Sequence, residues 1–186
     1  MLRKTVVTIL LLSFSSSCRA VEVFETGNPE VWNTRPIDRT VNLGYFAVRG
    51  SGTAQTTELL RSSLRYHLSN LGYRVADLDD YIPVLAEKRL NSNQTLARND
   101  LLLLAGSLKE RFLIQGYLYE YTRFAIPEDR IDLTLTISIY DTRTGQTASE
   151  YRLFMSGTSQ NHAMNLFKIS QSFAEQFHST HRKYRP

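Results

Sequence analysis

Ile131, Leu133, Leu135, Ile137 and Ile139 alternate without interruption with Asp132, Thr134, Thr136 and Ser138. A period of two puts every aliphatic side chain on one face of an extended chain and every polar one on the other, so this segment reads as a half-buried strand of an antiparallel sheet. Asp141-Thr142-Arg143-Thr144-Gly145 follows as a tight turn, with Gly145 available for positive φ. Residues 146–155 then return as the hairpin partner. The aliphatic face of this hairpin must be covered by helices.

The rest of the chain supplies those helices. Residues 40–48 read as a strand that is apolar on both faces in its second half, which suits a buried sheet position. A loop, Arg49-Gly50-Ser51-Gly52-Thr53, leads to a helix with Thr56 or Thr57 as N-cap, an apolar stripe of Leu60, Leu64, Leu68 and Leu71, and Gly72 as its stop. Residues 73–77 form a short strand, which makes 40–77 a βαβ unit with parallel strands. Two helices over 82–90 and 96–107 come next, the second with Leu101 and Leu104 on one side together with Leu108, followed by a strand over 112–121. A helix over 162–177 carries Ala163, Leu166, Phe167, Ser170, Phe173, Ala174 and Phe177 at three-four spacing. The expected fold class is α/β: one domain over 40–178, with a mixed sheet of about five strands packed with helices.

The amino terminus has a different character. Arg3 and Lys4 precede an apolar run ending at Phe14 and the small residues Ser15, Ser16 and Ser17, the pattern of a secretory signal peptide over 1–17. The run is far short of the ~20 residues that cross a bilayer as a helix. Cys18, the single cysteine, stands directly after the serines. One cysteine rules out an intramolecular disulfide, a thiolate zinc site and an iron–sulfur cluster. Two fates are open to it: acylation as in a bacterial lipoprotein, or a free thiol after ordinary signal-peptide cleavage. Acylation accounts better for a lone thiol in an oxidising compartment. Residues 18–39, broken by Gly27-Asn28-Pro29 and Arg35-Pro36, read as a lipidated cysteine and tether, in which Trp32 is expected to pack back on the domain.

Charge and motifs bound the chemistry. The full chain has a net charge of +4, and losing residues 1–17 takes Arg3 and Lys4 with it, leaving +2. That balance does not suit a nucleic-acid reader. His67, His162, His178 and His181 form no recognised ligand array, so no metal or cofactor is expected. The loop at Gly50 and Gly52 lacks a phosphate-binding signature, Ser51 and Ser156 lack a nucleophile-elbow context, and Asp77, Asp79 and Asp80 read as a solvated acidic loop. No enzymatic activity is expected. Tyr117, Tyr119 and Tyr121 cluster on one strand and offer a partner contact of large area and low entropic cost, or alternatively pack over a helix. Arg182, Lys183 and Arg185 stand in a basic tail over 179–186 that is expected to be solvated, with contact to an anionic surface as its functional alternative. Loss of residues 178–186 is then expected to leave stability almost unchanged.

Three segments resemble a group of bacterial envelope lipoproteins and periplasmic domains that includes CsgG, LpoB and the amino-terminal domain of TolB: Leu71-Gly72-Tyr73-Arg74-Val75, the strand from Phe112 to Tyr121 with its Gly116-Tyr117 pair, and Ile139-Tyr140-Asp141-Thr142-Arg143-Thr144-Gly145. The resemblance covers residues 40–178. It implies a non-enzymatic lipoprotein, held in the outer membrane by the acylated Cys18, that serves as an assembly or regulatory partner of another envelope protein. The alternatives are a subunit of a homo-oligomeric secretion apparatus and an exported enzyme with an unrecognised site. A pore is disfavoured, because the one long alternating hairpin is needed to cover the domain's own core.

Overall fold

A computed structural model describes residues 21–32, 39–126 and 128–183. The elements are β1 (Glu22–Gly27), α1 (Pro29–Trp32), β2 (Thr40–Gly50), α2 (Ala54–Asn70), β3 (Arg74–Asp77), α3 (Ile82–Glu87), α4 (Arg98–Leu103), β4 (Phe112–Arg123), β5 (Arg130–Asp141), β6 (Thr147–Thr158) and α5 (His162–Lys183). The strands form one mixed sheet in the order β1-β6-β5-β4-β2-β3. β2 is parallel to β3, as the βαβ reading requires, and also to β4, while β4, β5, β6 and β1 form an antiparallel series.

The alternation in β5 sets the two faces. Leu118 of β4, Leu135 of β5 and Leu153 of β6 lie side by side in register, and all three are inaccessible to solvent. Above them lie Leu60, Leu64 and Leu68 of α2 and Leu166, Ile169, Phe173 and Phe177 of α5, which complete the main core. Among the described residues the opposite face is covered only near the start of β4. There α3, α4 and their flanking loops place Leu78, Leu85, Leu96, Leu101, Leu104 and Leu108 over Leu113. Gln115 closes this smaller cluster: its side-chain amide accepts from the backbone N–H of Leu96 and donates to the same residue's carbonyl, at 2.9 and 2.7 Å, as a strand neighbour would.

The expected tether over 18–39 is corrected in its middle. Residues 22–27 are a sixth strand, paired with β6 along their whole length, and Trp32 is 1% exposed with its indole N–H donating to the Ala148 carbonyl at 3.0 Å. Glu25 points to the core face, where the Tyr151, Gln176 and Thr180 side chains donate to its carboxylate. Those partners lie far along the chain, so the local sequence gives no sign that a carboxylate fits there. Cys18 lies outside the described residues.

The expected end of the last helix is corrected too. α5 continues to Lys183, and Thr180 and His181 are buried rather than frayed. The Tyr73 hydroxyl, held well above its ordinary pKa by burial, stays protonated and hydrogen-bonds His181 Nδ1 at 2.6 Å. The His181 ring also packs on Trp32 and stacks on Phe177. Arg182 and Lys183 therefore form the exposed last turn of a helix, not a separate tail, while Arg185 lies outside the described residues. Smaller differences concern boundaries. α2 begins after Thr53, whose backbone N–H donates to the Thr56 side chain at 3.1 Å, and α3 and α4 are each a few residues shorter than the periodicity predicts.

Candidate interaction site

The shortness of α3 and α4 decides where the site is. Past Gln115 nothing in the described chain covers the second face of the sheet, and the alternation of β4 turns Tyr117, Tyr119 and Tyr121 onto it. They are 40%, 49% and 55% exposed. None of the described helices packs over these tyrosines. Their strand neighbours extend the surface in rows. Across the sheet from Tyr117 run Thr136, Arg152 and Phe24, and across from Tyr119 run Thr134, Phe154 and Glu22. Arg49 of β2 flanks Tyr119 in register and sets its guanidinium 5.9 Å from the Tyr117 ring centre.

Phe24 and Phe154 meet edge to face at 6.0 Å and floor a groove of about 450 Å³, walled by Thr26, Thr136, Glu150 and Arg152. At the far end, Arg123 pairs with Asp132 at 2.7 Å, and the Ser156 hydroxyl also donates to that carboxylate. The surface is thus a flat β-face with aromatic rings, small hydroxyls and balanced charge. Aromatic and arginine side chains of this kind carry a large share of protein–protein binding energy.

Beneath the tyrosines lies a polar cluster that sequence reading did not join up. Glu120 is 5% exposed on the core side of β4; its carboxylate lies 2.9 Å from His162 Nε2 and accepts from the Ser51 hydroxyl at 3.2 Å. The pairing of β4 with β2 brings Ser51 beside Glu120, and the packing of α5 on the core face brings His162 there. Serine, glutamate and histidine meet here in a different order from the serine–histidine–acid triad. Both the hydroxyl and the imidazole contact the carboxylate, so the carboxylate, not the imidazole, is the group beside the serine oxygen. The cluster instead ties the loop before α2 and the start of α5 to the sheet.

The remaining singled-out residues are dispersed. Arg61 pairs with Asp77 and Asp79 at 3.2 and 3.1 Å and Arg65 also contacts Asp77, so the acidic loop after β3 is partly neutralised by α2. His67 is buried against Phe167, and burial lowers its pKa below the ordinary imidazole value. His178 is likewise lowered, by burial first and then by Arg182 and Arg39. Among the described residues no three His, Cys, Asp or Glu side chains come together to hold a metal, and no helix is long and apolar enough to cross a membrane. Phe24, Phe154, Arg49 and Arg152 are the members of the open face that sequence reading missed.

No family model and no curated protein matches the sequence. Solved structures do match in fold. PelC from Paraburkholderia phytofirmans, solved as a dodecamer, aligns over 82% of this chain and 96% of its own at 15% identity with a TM-score of 0.51. Lipoprotein GNA1162 from Neisseria meningitidis aligns over 75% of this chain and 98% of its own at 14% identity, also with a TM-score of 0.51. The LpoB C-terminal domain from Escherichia coli aligns over 63% of this chain and 82% of its own at 14% identity with a TM-score of 0.42. The chain therefore shares the fold of PelC and of lipoprotein GNA1162 over most of its length.

Proposed function

We propose that this chain is a non-enzymatic envelope lipoprotein of the CsgG, LpoB and TolB amino-terminal-domain group, acylated at Cys18, held at the periplasmic face of the outer membrane, and acting by presenting its open sheet face to another envelope protein. The observation that carries the reading is the uncovered row of Tyr117, Tyr119 and Tyr121 on a rigid strand, flanked by Arg49 and backed by the Phe24–Phe154 groove. A soluble domain with no use for that face would be expected to carry charged residues there. The fold shared with lipoprotein GNA1162 supports the envelope setting.

The test is a photo-reactive phenylalanine analogue at position 119 in cells, with the same analogue at Glu58 on exposed α2 as control. The reading expects a discrete protein adduct from position 119 and none from 58. Adducts of equal yield at both positions would remove it. A second copy of this chain trapped at 119 would replace the separate partner by self-assembly, the state in which PelC was solved.

A further inference from the structure

Few residues separate Cys18 from the sheet. β1 begins at Glu22, so only Arg19, Ala20 and Val21 separate it from Cys18, and four residue steps reach at most about 14 Å. Register fixes the end of the sheet at which that short span starts. Glu22 lies opposite Phe154 in an antiparallel pair, so β1 starts on the side of the sheet where β6 runs on to Thr158, which pairs with Arg130, which in turn pairs with Arg123. From Phe154 to Thr158 is about 14 Å along the strand. A bilayer attached at Cys18 therefore meets this end of the sheet, where the β4–β5 loop projects.

That loop carries the two most exposed large apolar side chains among the described residues. Phe124 is 90% and Ile126 100% exposed, against 59% or less for every other. The loop is held in place at its base. The Asp129 carboxylate accepts from the Ala125 N–H at 3.3 Å, and the Asp129 carbonyl accepts from the Ser159 N–H at 2.9 Å. Met164, 54% exposed in the first turn of α5, lies at the same end. Nearby charges are balanced: Arg123 is paired with Asp132, and Arg130 is offset by Glu128 and Asp129.

We propose that Phe124 and Ile126 insert into the interfacial layer of the bilayer to which Cys18 is anchored, so that the β4–β5 loop is a second, apolar contact that fixes the domain's orientation. The proposal rests on the anchoring reading given above. Two apolar side chains cannot hold a protein on a membrane alone, but beside an acyl anchor they determine which end faces it. The orientation also assigns the other basic residues. Arg182 and Lys183 lie at the far end of α5, about 30 Å from its start, and so face away from the anchoring membrane. The open tyrosine face then stands roughly perpendicular to the bilayer, open to a partner alongside.

The experiment couples the Cys18 thiol of the mature chain, residues 18–186, to a maleimide-headgroup lipid in phosphatidylcholine vesicles, which supplies the anchor whether or not cells acylate it. Phe124→Trp places an indole at the loop, Arg143→Trp places one at the opposite end of the sheet, and Trp32 is a buried constant background. With brominated acyl chains, fluorescence of the Phe124→Trp protein falls about twofold or more, independently of salt, while that of Arg143→Trp is unchanged. Equal quenching of the two, or none at position 124, overturns the proposal. Emission that instead shifts with protein density and ignores the bromines puts a second copy on the loop, which also overturns it. Fatty-acid labelling of Cys18 in cells is read separately, so failure of the anchoring reading and failure of loop insertion are distinguished.

Discussion

The two faces of the one sheet are built from the same strands and obey opposite rules. On the helix face, β5 contributes Ile131, Leu133, Leu135, Ile137 and Ile139, each 3% exposed or less, and α2 and α5 seal them. On the other face the same strand contributes Asp132, Thr134, Thr136 and Ser138, and β4 contributes three exposed tyrosines. Stability is concentrated on the first face. The second face holds large side chains that contribute little to folding, which is the arrangement expected where a surface is kept for a partner.

Charge insertion breaks the comparison most severely. Leu135→Asp or Ile137→Asp should cost about 4 kcal/mol or more, because a carboxylate enters a sealed apolar layer with no partner. Thr134→Lys and Thr136→Lys should stay within about 0.5 kcal/mol. Chemical denaturation of the four variants reads both sets, and equal costs would contradict the face assignment.

The carboxyl-terminal end of the helix face comes next. Removing residues 178–186 strips the buried Thr180 and His181 from Glu25, Tyr73 and Trp32 and should cost about 3 kcal/mol. A midpoint unchanged in urea would show that α5 contributes nothing beyond Phe177. Gln115→Leu sharpens the boundary between the two halves of the second face. It leaves the Leu96 amide and carbonyl unpaired in a buried position and should cost about 2 kcal/mol.

Acid should weaken the fold through two histidines on its helices. His67 and His178 have folded pKa values below their unfolded value of 6.5, so each favours folding when neutral. Their contribution is complete above about pH 6.5 and is lost as pH falls, because the unfolded chain takes up protons that the folded chain resists. His67→Phe should flatten the stability profile between about pH 6.5 and 5 relative to the parent. An unaltered profile would show that the buried ring does not titrate there.

The sequence was informative where one element decides its own fate. Period two in β5, the leucine stripe in α2 and the Gly145 turn are local properties, and each stands in the structure as expected. β1 was lost because an edge strand needs only one buried face, and its core-facing pair is Val23 and a carboxylate, Glu25, whose partners come from β6 and α5. The last turns of α5 were lost for the same reason: Thr180 and His181 look like surface residues until Glu25 and Tyr73 are placed beside them. The tyrosine cluster was legible as a cluster. Its exposure was not, since it depends on where α3 and α4 stop short of it.

The central claim is that a partner covers the open face in the envelope, and oxidative footprinting of tyrosine tests it most directly. Tyr66 on α2 is 54% exposed and Tyr121 on the sheet 55%, so in the purified protein they should be modified to similar extents, with Tyr117 and Tyr119 close behind. In intact cells the account predicts that Tyr117, Tyr119 and Tyr121 are protected several-fold relative to Tyr66, as rings buried at an interface are. Equal modification of all four tyrosines in cells and in solution would contradict it.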